Sequence, residues 1–177
     1  MCKGSYEPLY STLQPTCNKP KCMAKHAENR RNKATKAKNR KFDKEVRDKD
    51  LRWHIKTLQT EFNKFIRLRD SEEPCISCQR FHSGQIHAGH YLSVGARPEL
   101  RFEESNCHAQ CKQCNMDLSG NLIFYRIHLW TKIGLEKVEW LEGPHEPKKY
   151  SVEDLKVMIK DYRARVRMLS SQQSSTN

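Results

Sequence analysis

Two pairs of cysteines mark the part of this sequence that could hold a metal ion. Cys75 and Cys78 form the first pair, and Cys111 and Cys114 form the second, with two residues between the members of each pair. A short turn of this kind directs two thiolates at one point, and four thiolates are a common ligand set for a tetrahedral structural zinc. We therefore expect one zinc ion that braces the segment between residues 74 and 125.

The segment between the pairs contains residue types that could hydrolyse a phosphodiester bond. That reaction needs a water nucleophile, a base that accepts its proton, and a cation that stabilises charge on the phosphate. His90 could be the base, because an imidazole titrates near neutral pH. The side-chain carbonyl of Asn115 suits a hard cation such as Mg²⁺. Asn106 is expected to hold the hairpin so that the imidazole of His90 is aimed correctly.

His87 is a second candidate ligand for the catalytic cation, together with Asn115. On a regular strand His87 and His90 point to opposite faces, so they could share a cation only if the strand bends or bulges at Gly89. A nitrogen ligand also suits Mn²⁺ or another transition metal better than Mg²⁺. The ordinary alternatives are a buried structural role for His90, a surface position for His87 and a helix-capping role for Asn115.

Hydrophobic periodicity indicates the elements that would position these side chains. Residues 85–94 and 100–103 have the composition of two short strands, and residues 95–98 that of a turn. After the second cysteine pair, helical spacing is seen in Leu122, Tyr125, Leu129 and Ile133. The predicted order is a β-hairpin followed by a helix.

Two amphipathic helices are expected to flank the hairpin within a domain of residues 51–169. Ser151 and Asp154 have the spacing of a capping box at the start of the second of these helices. Residues 170–177 are polar and are expected to form a disordered tail. The apolar stripes comprise Leu51, Ile55, Leu58, Phe62, Phe65 and Ile66 in the first helix, and Leu155, Met158, Ile159, Tyr162, Val166 and Leu169 in the second.

The first 50 residues combine cysteines with a run of basic residues. Within residues 1–26, Cys2, Cys17, Cys22 and His26 could bind a second zinc, and the equally weighted alternative is unpaired thiols on a disordered tail. Residues 27–50 favour a helical linker, which is either simply solvated or an arm that follows DNA phosphates. The candidate phosphate contacts are Arg30, Arg31, Lys33, Lys36, Lys38, Arg40 and Lys41, together with Arg97 and Arg101 between the cysteine pairs.

The overall composition fits a small basic protein that binds a polyanion. The 177 residues carry a formal net charge of +12, which makes nucleic acid the first candidate partner. Only 36% of the residues are hydrophobic, so the core is small and a structural metal would contribute substantially to folding. The sequence has no apolar run of signal-peptide or transmembrane type, and we expect no membrane association and a reducing cytoplasm that keeps the thiolates available.

The sequence contains six motifs, given below in chain order, through which it resembles the NinG/Rap family of recombination nucleases of lambda-like phages. The wider pattern of a hairpin, a helix, zinc and a His-Asn-Asn series resembles the HNH, or ββα-metal, nuclease motif. The departure is at His87, where the family more commonly has Asp. The motifs are Phe65-Ile-Arg-Leu-Arg-Asp70, Pro74-Cys-Ile-Ser-Cys78, Ala88-Gly-His-Tyr91, Leu100-Arg-Phe102, Gln110-Cys-x2-Cys-Asn115 and Ser119-Gly-Asn-Leu122.

The resemblance implies an α+β fold in which a zinc-stapled ββα-metal (HNH-like) core is flanked by helices and preceded by a basic helical arm. It also implies an endonuclease that uses Mg²⁺ or Mn²⁺ to cut branched double-stranded DNA, such as Holliday junctions and displacement loops, in the cytoplasm of a phage-infected bacterium. Because a four-way junction presents two strands for symmetrical cleavage, a homodimer is expected. Two other hypotheses remain: a zinc-containing DNA-binding or scaffold protein with a degenerate, inactive nuclease fold, and a sequence-specific restriction-type enzyme.

Overall fold

A computed structural model describes residues 19–174. The chain divides into two compact units, Met1–Lys49 and Asp50–Asn177. Cys2 and Cys17 lie outside the described residues.

The described part of the first unit is a single long helix, α1 (Pro20–Lys49). Its sequence contains no glycine and no proline after the first position, and Ala, Lys, Arg and Glu all have high helix propensity. All seven basic residues proposed as phosphate contacts in this segment are exposed. The only buried side chain in α1 is that of Cys22.

Within residues 50–174 the second unit contains four α-helices and two short strands, and this part is therefore mostly helical with a small sheet. Asp50 caps its first helix by accepting hydrogen bonds from the backbone N–H groups of Arg52 and Trp53. The capping box of the last helix is confirmed, because Asp154 N–H donates to Ser151 Oγ while Asp154 Oδ2 accepts from Ser151 N–H. The elements are α2 (Leu51–Arg69), β1 (Ile86–His90), β2 (Cys107–Cys111), α3 (Leu122–Ile133), α4 (Leu135–Glu142) and α5 (Val152–Ser174).

The two strands form an antiparallel sheet in which Ile86 pairs with Cys111 and His90 pairs with Cys107. The predicted second strand at residues 100–103 is wrong. Pro98–Leu100 forms a 3₁₀ turn, and the chain reaches the second strand only after another 3₁₀ turn at Glu104–Asn106. The strand was missed because Cys107–Cys111 contains none of the residues with high β propensity, although apolar and polar residues alternate along it.

The helix predicted from Leu122, Tyr125, Leu129 and Ile133 is confirmed as α3, but the turn that carries Asn115 is separate from it. Gln113–Asp117 forms one turn of π-helix, and α3 begins only at Leu122. Between them Ser119, Gly120 and Asn121 all have positive φ angles of 50°, 90° and 46°. This left-handed segment redirects the chain, so the π-helical turn and α3 are separate elements.

The sheet lies between two hydrophobic clusters. On one face, α2 and α5 pack together through residues that include Phe62 and Tyr162, and Ala88 and Cys107 of the sheet contact this cluster. On the other side, α3 and α4 contribute Tyr125, Leu129, Val138 and Leu141 to a second cluster. The predicted core of α5 is confirmed, with Leu155, Ile159, Tyr162 and Val166 buried and Met158 and Leu169 partly buried against them.

Helix α5 continues to Ser174. Residues 170–174 are therefore helical, and the predicted disordered tail is wrong for this stretch. Gln172 and Gln173 line one pocket together with Ser71 and Glu72, which follow α2. Gln173 Nε2 donates to Ser71 Oγ at 2.7 Å. Packing against the end of α2 explains why this polar stretch is ordered.

Candidate functional site

The four paired cysteines converge as their spacing predicts. The Sγ atoms of Cys75, Cys78, Cys111 and Cys114 all lie within 4.8 Å of one another. No second group of three or more potential ligands of this kind is found among residues 19–174. The cluster could hold a structural metal such as zinc, for which four thiolates are a standard ligand set.

Hydrogen-bond donors around the sulfur atoms fit a cluster of thiolates. The N–H of Cys111 points to Cys75 Sγ at 3.4 Å, and the N–H of Cys114 points to Cys111 Sγ at the same distance. His82 Nε2 lies 3.2 Å from Cys78 Sγ. Burial acts to raise the pKa of the Cys78 thiol, but the contact with His82, together with hydrogen bonds from Arg80, outweighs it and lowers the pKa to about 6. The thiolate form of Cys78 is thus favoured at neutral pH, whereas burial raises the pKa of Cys75 and raises that of Cys114 to about 12.

The structure brings His87 and Asn115 together. Asn115 Nδ2 lies 3.2 Å from His87 Nδ1, and both residues are half-buried. The other ring nitrogen, Nε2 of His87, is buried and has no hydrogen-bond partner in the described part of the chain. The imidazole of His87 and the side-chain oxygen of Asn115 are ligand types that a divalent cation such as Mn²⁺ accepts, and the contact brings the two side chains together.

His90 points to the opposite face of β1. The pairing of β1 with β2 is regular through Gly89, so the bulge that would let His87 and His90 share a cation is not formed. His90 Nε2 instead lies 2.9 Å from the carbonyl oxygen of Arg101, and its ring stacks on Phe62 with centroids 6.1 Å apart. Burial lowers the pKa of His90, although the hydrogen bond to Arg101 opposes this shift. The expectation that His90 faces a cation held by Asn115 is therefore wrong.

Asn106 holds the loop between the strands. It is fully buried, and its side-chain oxygen accepts from Leu92 N–H at 2.9 Å. Its amide nitrogen donates to the carbonyl oxygens of Leu92 and Leu100 at 3.0 and 3.3 Å. These bonds close the loop between β1 and β2, and the proposed role of Asn106 in aiming His90 stays a prediction.

The two arginines between the cysteine pairs are largely engaged within the protein. Arg97 Nε donates to Glu99 at 2.7 Å, and its NH2 group donates to the carbonyl oxygen of Gly143. Arg101 is half-buried and lies 3.5 Å from Gln59 Oε1. Neither side chain is as available to a phosphate as the exposed basic residues of α1.

The predicted second zinc site falls partly outside the described residues. Cys22 and His26 both lie on α1, whereas Cys2 and Cys17 belong to the undescribed first 18 residues. The second zinc therefore stays a prediction.

A buried charge network that the sequence did not reveal fixes β2 against the end of α2. Asp70 Oδ2 accepts from Ala109 N–H at 2.9 Å, and the guanidinium of Arg69 binds both carboxylate oxygens at 2.7 and 2.9 Å. Burial acts to raise the pKa of Asp70, but interactions with His108 and Arg69 hold it well below its usual value. The ionised carboxylate thus links the helix to the centre of the second strand.

None of the helices within residues 19–174 has the length and apolarity needed to cross a membrane.

Comparison with known proteins identifies close sequence relatives. Residues 2–172 match the family described as "Bacteriophage Lambda NinG protein". The protein ninG of Escherichia phage lambda is 42% identical over 120 residues, which are 68% of this chain and 59% of that protein. The protein ninG of Salmonella phage P22 is 41% identical over the same shares of the two chains. The alignments thus span about three fifths of the length of these relatives. No solved structure matches the chain.

Proposed function

Because the chain belongs to the NinG family of lambda-type phage proteins, we propose that it is a metal-dependent endonuclease that cuts branched DNA during phage recombination. Holliday junctions and displacement loops are the proposed substrates, and the host cytoplasm is the proposed location. The HNH-like interpretation is supported by the order of the parts: an antiparallel strand pair, a helical turn that carries Asn115, and a cysteine cluster that braces both.

The observation that carries the proposal is the contact between His87 and Asn115. Both side chains offer atoms that bind Mn²⁺ or Mg²⁺, and the Nε2 atom of His87 is buried without a partner in the described part of the chain. A divalent cation held there would stabilise negative charge on a DNA phosphate and on the leaving oxygen. The chain's own contribution is to fix the two side chains on adjoining elements that the cysteine cluster connects.

The basic arm supports a DNA partner recognised by its shape and charge. The seven exposed lysine and arginine residues of α1 can contact phosphates, and such contacts are independent of base sequence and sensitive to salt. A four-way junction has two equivalent strands, so we propose that the active form is a homodimer.

A second candidate function is a zinc-containing DNA-binding or scaffold protein without catalysis. The placement of His90 favours it, because the motif histidine is bonded to a backbone carbonyl and stacked on Phe62 instead of facing Asn115. Both candidates share the charge and the cysteine cluster, so only a cleavage assay separates them.

The test is a labelled four-way junction incubated with the full-length protein and with Mg²⁺, Mn²⁺ or EDTA. We expect metal-dependent cuts near the branch and no cuts in linear duplexes of the same sequences. Asn115→Ala should abolish cleavage but retain junction binding, whereas the neighbouring exposed Gln113→Ala should cut normally. Binding without cleavage under every metal condition would support the scaffold candidate, and cuts at fixed sequences in linear duplex would support a restriction-type enzyme.

A further inference from the structure

We propose that Gln110 supplies an additional oxygen ligand to the cation held by His87 and Asn115, and that Gly89 leaves the space in which this ligand lies. The inference rests on the proposed function, because it extends the same cation site. It concerns two residues, Gln110 and Gly89, for which the sequence suggested no ligand role.

Gln110 is placed on the correct face by the register of the sheet. It lies directly opposite His87 in the strand pair, and cross-strand partners project their side chains from the same face. Gln110 is also fully buried. A buried amide beside an imidazole is therefore part of the surroundings of His87.

The orientation of the Gln110 amide is fixed by its nitrogen. Nε2 donates to Ser77 Oγ at 2.7 Å and to the carbonyl oxygen of Gly120 at 2.6 Å. The carbonyl oxygen of Gly120 can only accept, and Ser77 Oγ itself donates to that oxygen, so the NH₂ group must occupy this end of the amide. The oxygen Oε1 consequently points the other way, where it is buried and finds no hydrogen-bond partner among residues 19–174. A buried acceptor without a partner is costly and calls for a bound group.

The free oxygen lies over Gly89. A Cβ atom added at Gly89 would be 2.1 Å from Gln110 Oε1 and 3.1 Å from Asn115 Oδ1. Both side-chain oxygens thus lie within 3.1 Å of one point that only glycine leaves empty. The two oxygens therefore lie side by side next to Gly89, close enough for one cation with ligand distances of about 2.0–2.6 Å to contact both.

The ligands also predict how the site should respond to charge. His87, Asn115 and Gln110 are all neutral ligands, so they leave the charge of a divalent cation uncompensated. Affinity in such sites rises with the number of charged ligands. A carboxylate at position 110 should therefore strengthen cation binding if Oε1 faces the cation.

The experiment is a Mn²⁺ titration of the zinc-loaded full-length protein without DNA, followed by electron paramagnetic resonance of free Mn²⁺. We expect Gln110→Glu to lower the Kd for Mn²⁺ at least tenfold, even though the carboxylate loses the donor for Ser77 and Gly120. Gln113→Glu is the matched control, because it adds the same charge at an exposed position of the adjacent π-helical turn. An equal change in both variants, or no change in Gln110→Glu, would overturn the inference.

Gly89→Ala provides a second test that adds no charge and removes no proposed ligand. Its Cβ must displace the Gln110 amide, so we expect the Kd for Mn²⁺ to rise at least tenfold and the melting temperature to fall. Adding Gly89→Ala to a Gln110→Ala protein should change both quantities much less, because the clash with Oε1 is then absent. If Gly89→Ala binds Mn²⁺ with the wild-type Kd, the inference is contradicted. This test remains available even if Gln110→Glu does not fold.

Metal binding and cleavage can fail separately. If Mn²⁺ binding depends on His87 and Gln110 but no junction is cut, the proposed nuclease function is wrong and the cation site stands. If junctions are cut while Gln110→Glu and Gly89→Ala leave the Kd for Mn²⁺ unchanged, the function stands and the role of Gln110 is wrong. The inference would also be overturned if the wild-type protein binds no Mn²⁺, or if its binding of Mn²⁺ does not depend on His87.

Discussion

Replacing His87 and His90 by alanine, one at a time, should produce opposite results. The two histidines lie three residues apart on β1 but face different parts of the molecule. His87→Ala should greatly slow junction cleavage and leave the fold intact. His90→Ala should destabilise the fold, and the fraction that remains folded should still cut DNA.

The expected loss of stability in His90→Ala follows from its contacts. The imidazole stacks on Phe62 at 6.1 Å, an aromatic pair worth about 0.5–1.5 kcal/mol. Its hydrogen bond to the carbonyl oxygen of Arg101, at 2.9 Å, contributes about 1 kcal/mol. Truncation of a largely buried ring also leaves a cavity, so the total loss should be about 2–4 kcal/mol.

His87→Ala removes much less from the folded state. The only hydrogen bond described for its side chain is the one with Asn115, and the ring is half-buried. The loss of unfolding free energy should stay within about 1 kcal/mol. Loss of a ligand to the proposed cation should nevertheless slow cleavage by about 100-fold or more.

Urea unfolding of the zinc-loaded proteins, followed by tryptophan fluorescence, measures the two free energies. Junction cleavage per folded molecule is measured without urea, at a temperature well below the melting transition of each protein. The assignment of the site to the His87 face would be refuted by one pattern in particular: a stable His90→Ala protein that no longer cuts, beside a His87→Ala protein that cuts normally. That pattern would restore His90 as the general base.

Three further predictions concern stability. Asp70→Asn should cost about 2–4 kcal/mol of unfolding free energy because it breaks the buried ion pair with Arg69. Glu61→Gln removes the more exposed ion pair with Arg163 and should cost less than about 1 kcal/mol in the same urea experiment. Burial lowers the pKa values of His90 and His108 in the folded state, so the stability they contribute is complete above about pH 6.5 and declines as the pH falls below that value. Unfolding curves at pH 7 and pH 5.5, with the zinc content checked at both, should show this decline. His108→Gln should make the decline smaller. Removal of metal by a chelator should lower the melting temperature by many degrees, and one zinc per chain by elemental analysis would exclude the second zinc site.

Local patterns in the sequence predicted those features that depend on near neighbours in the chain. The spacing within each cysteine pair was sufficient to predict the four-sulfur cluster, because each pair forms a short turn of its own. The capping box at Ser151 and the buried stripe of α5 were likewise predicted from residues one or two helical turns apart.

Features that depend on distant parts of the chain were not predictable in the same way. Strand alternation correctly placed His87 and His90 on opposite faces, but it could not tell which face Asn115 would meet. That choice is made by the π-helical turn Gln113–Asp117, which follows β2 and brings Asn115 Nδ2 to 3.2 Å from His87 Nδ1. Gln110 and Asp70 acquire their roles through partners 33 and 39 residues away, which no local pattern reveals.

The structural cluster and the proposed cation site are joined by the covalent chain at two places. Gln110 immediately precedes Cys111, and Asn115 immediately follows Cys114. A metal held by the two cysteines would fix the turn between them, and thereby the separation of the Gln110 and Asn115 oxygens on which a shared cation depends. Bracing by the four thiolates would therefore affect the proposed chemistry without any sulfur atom contacting the proposed cation, because the fit of that cation would depend on the geometry that the cysteine cluster imposes.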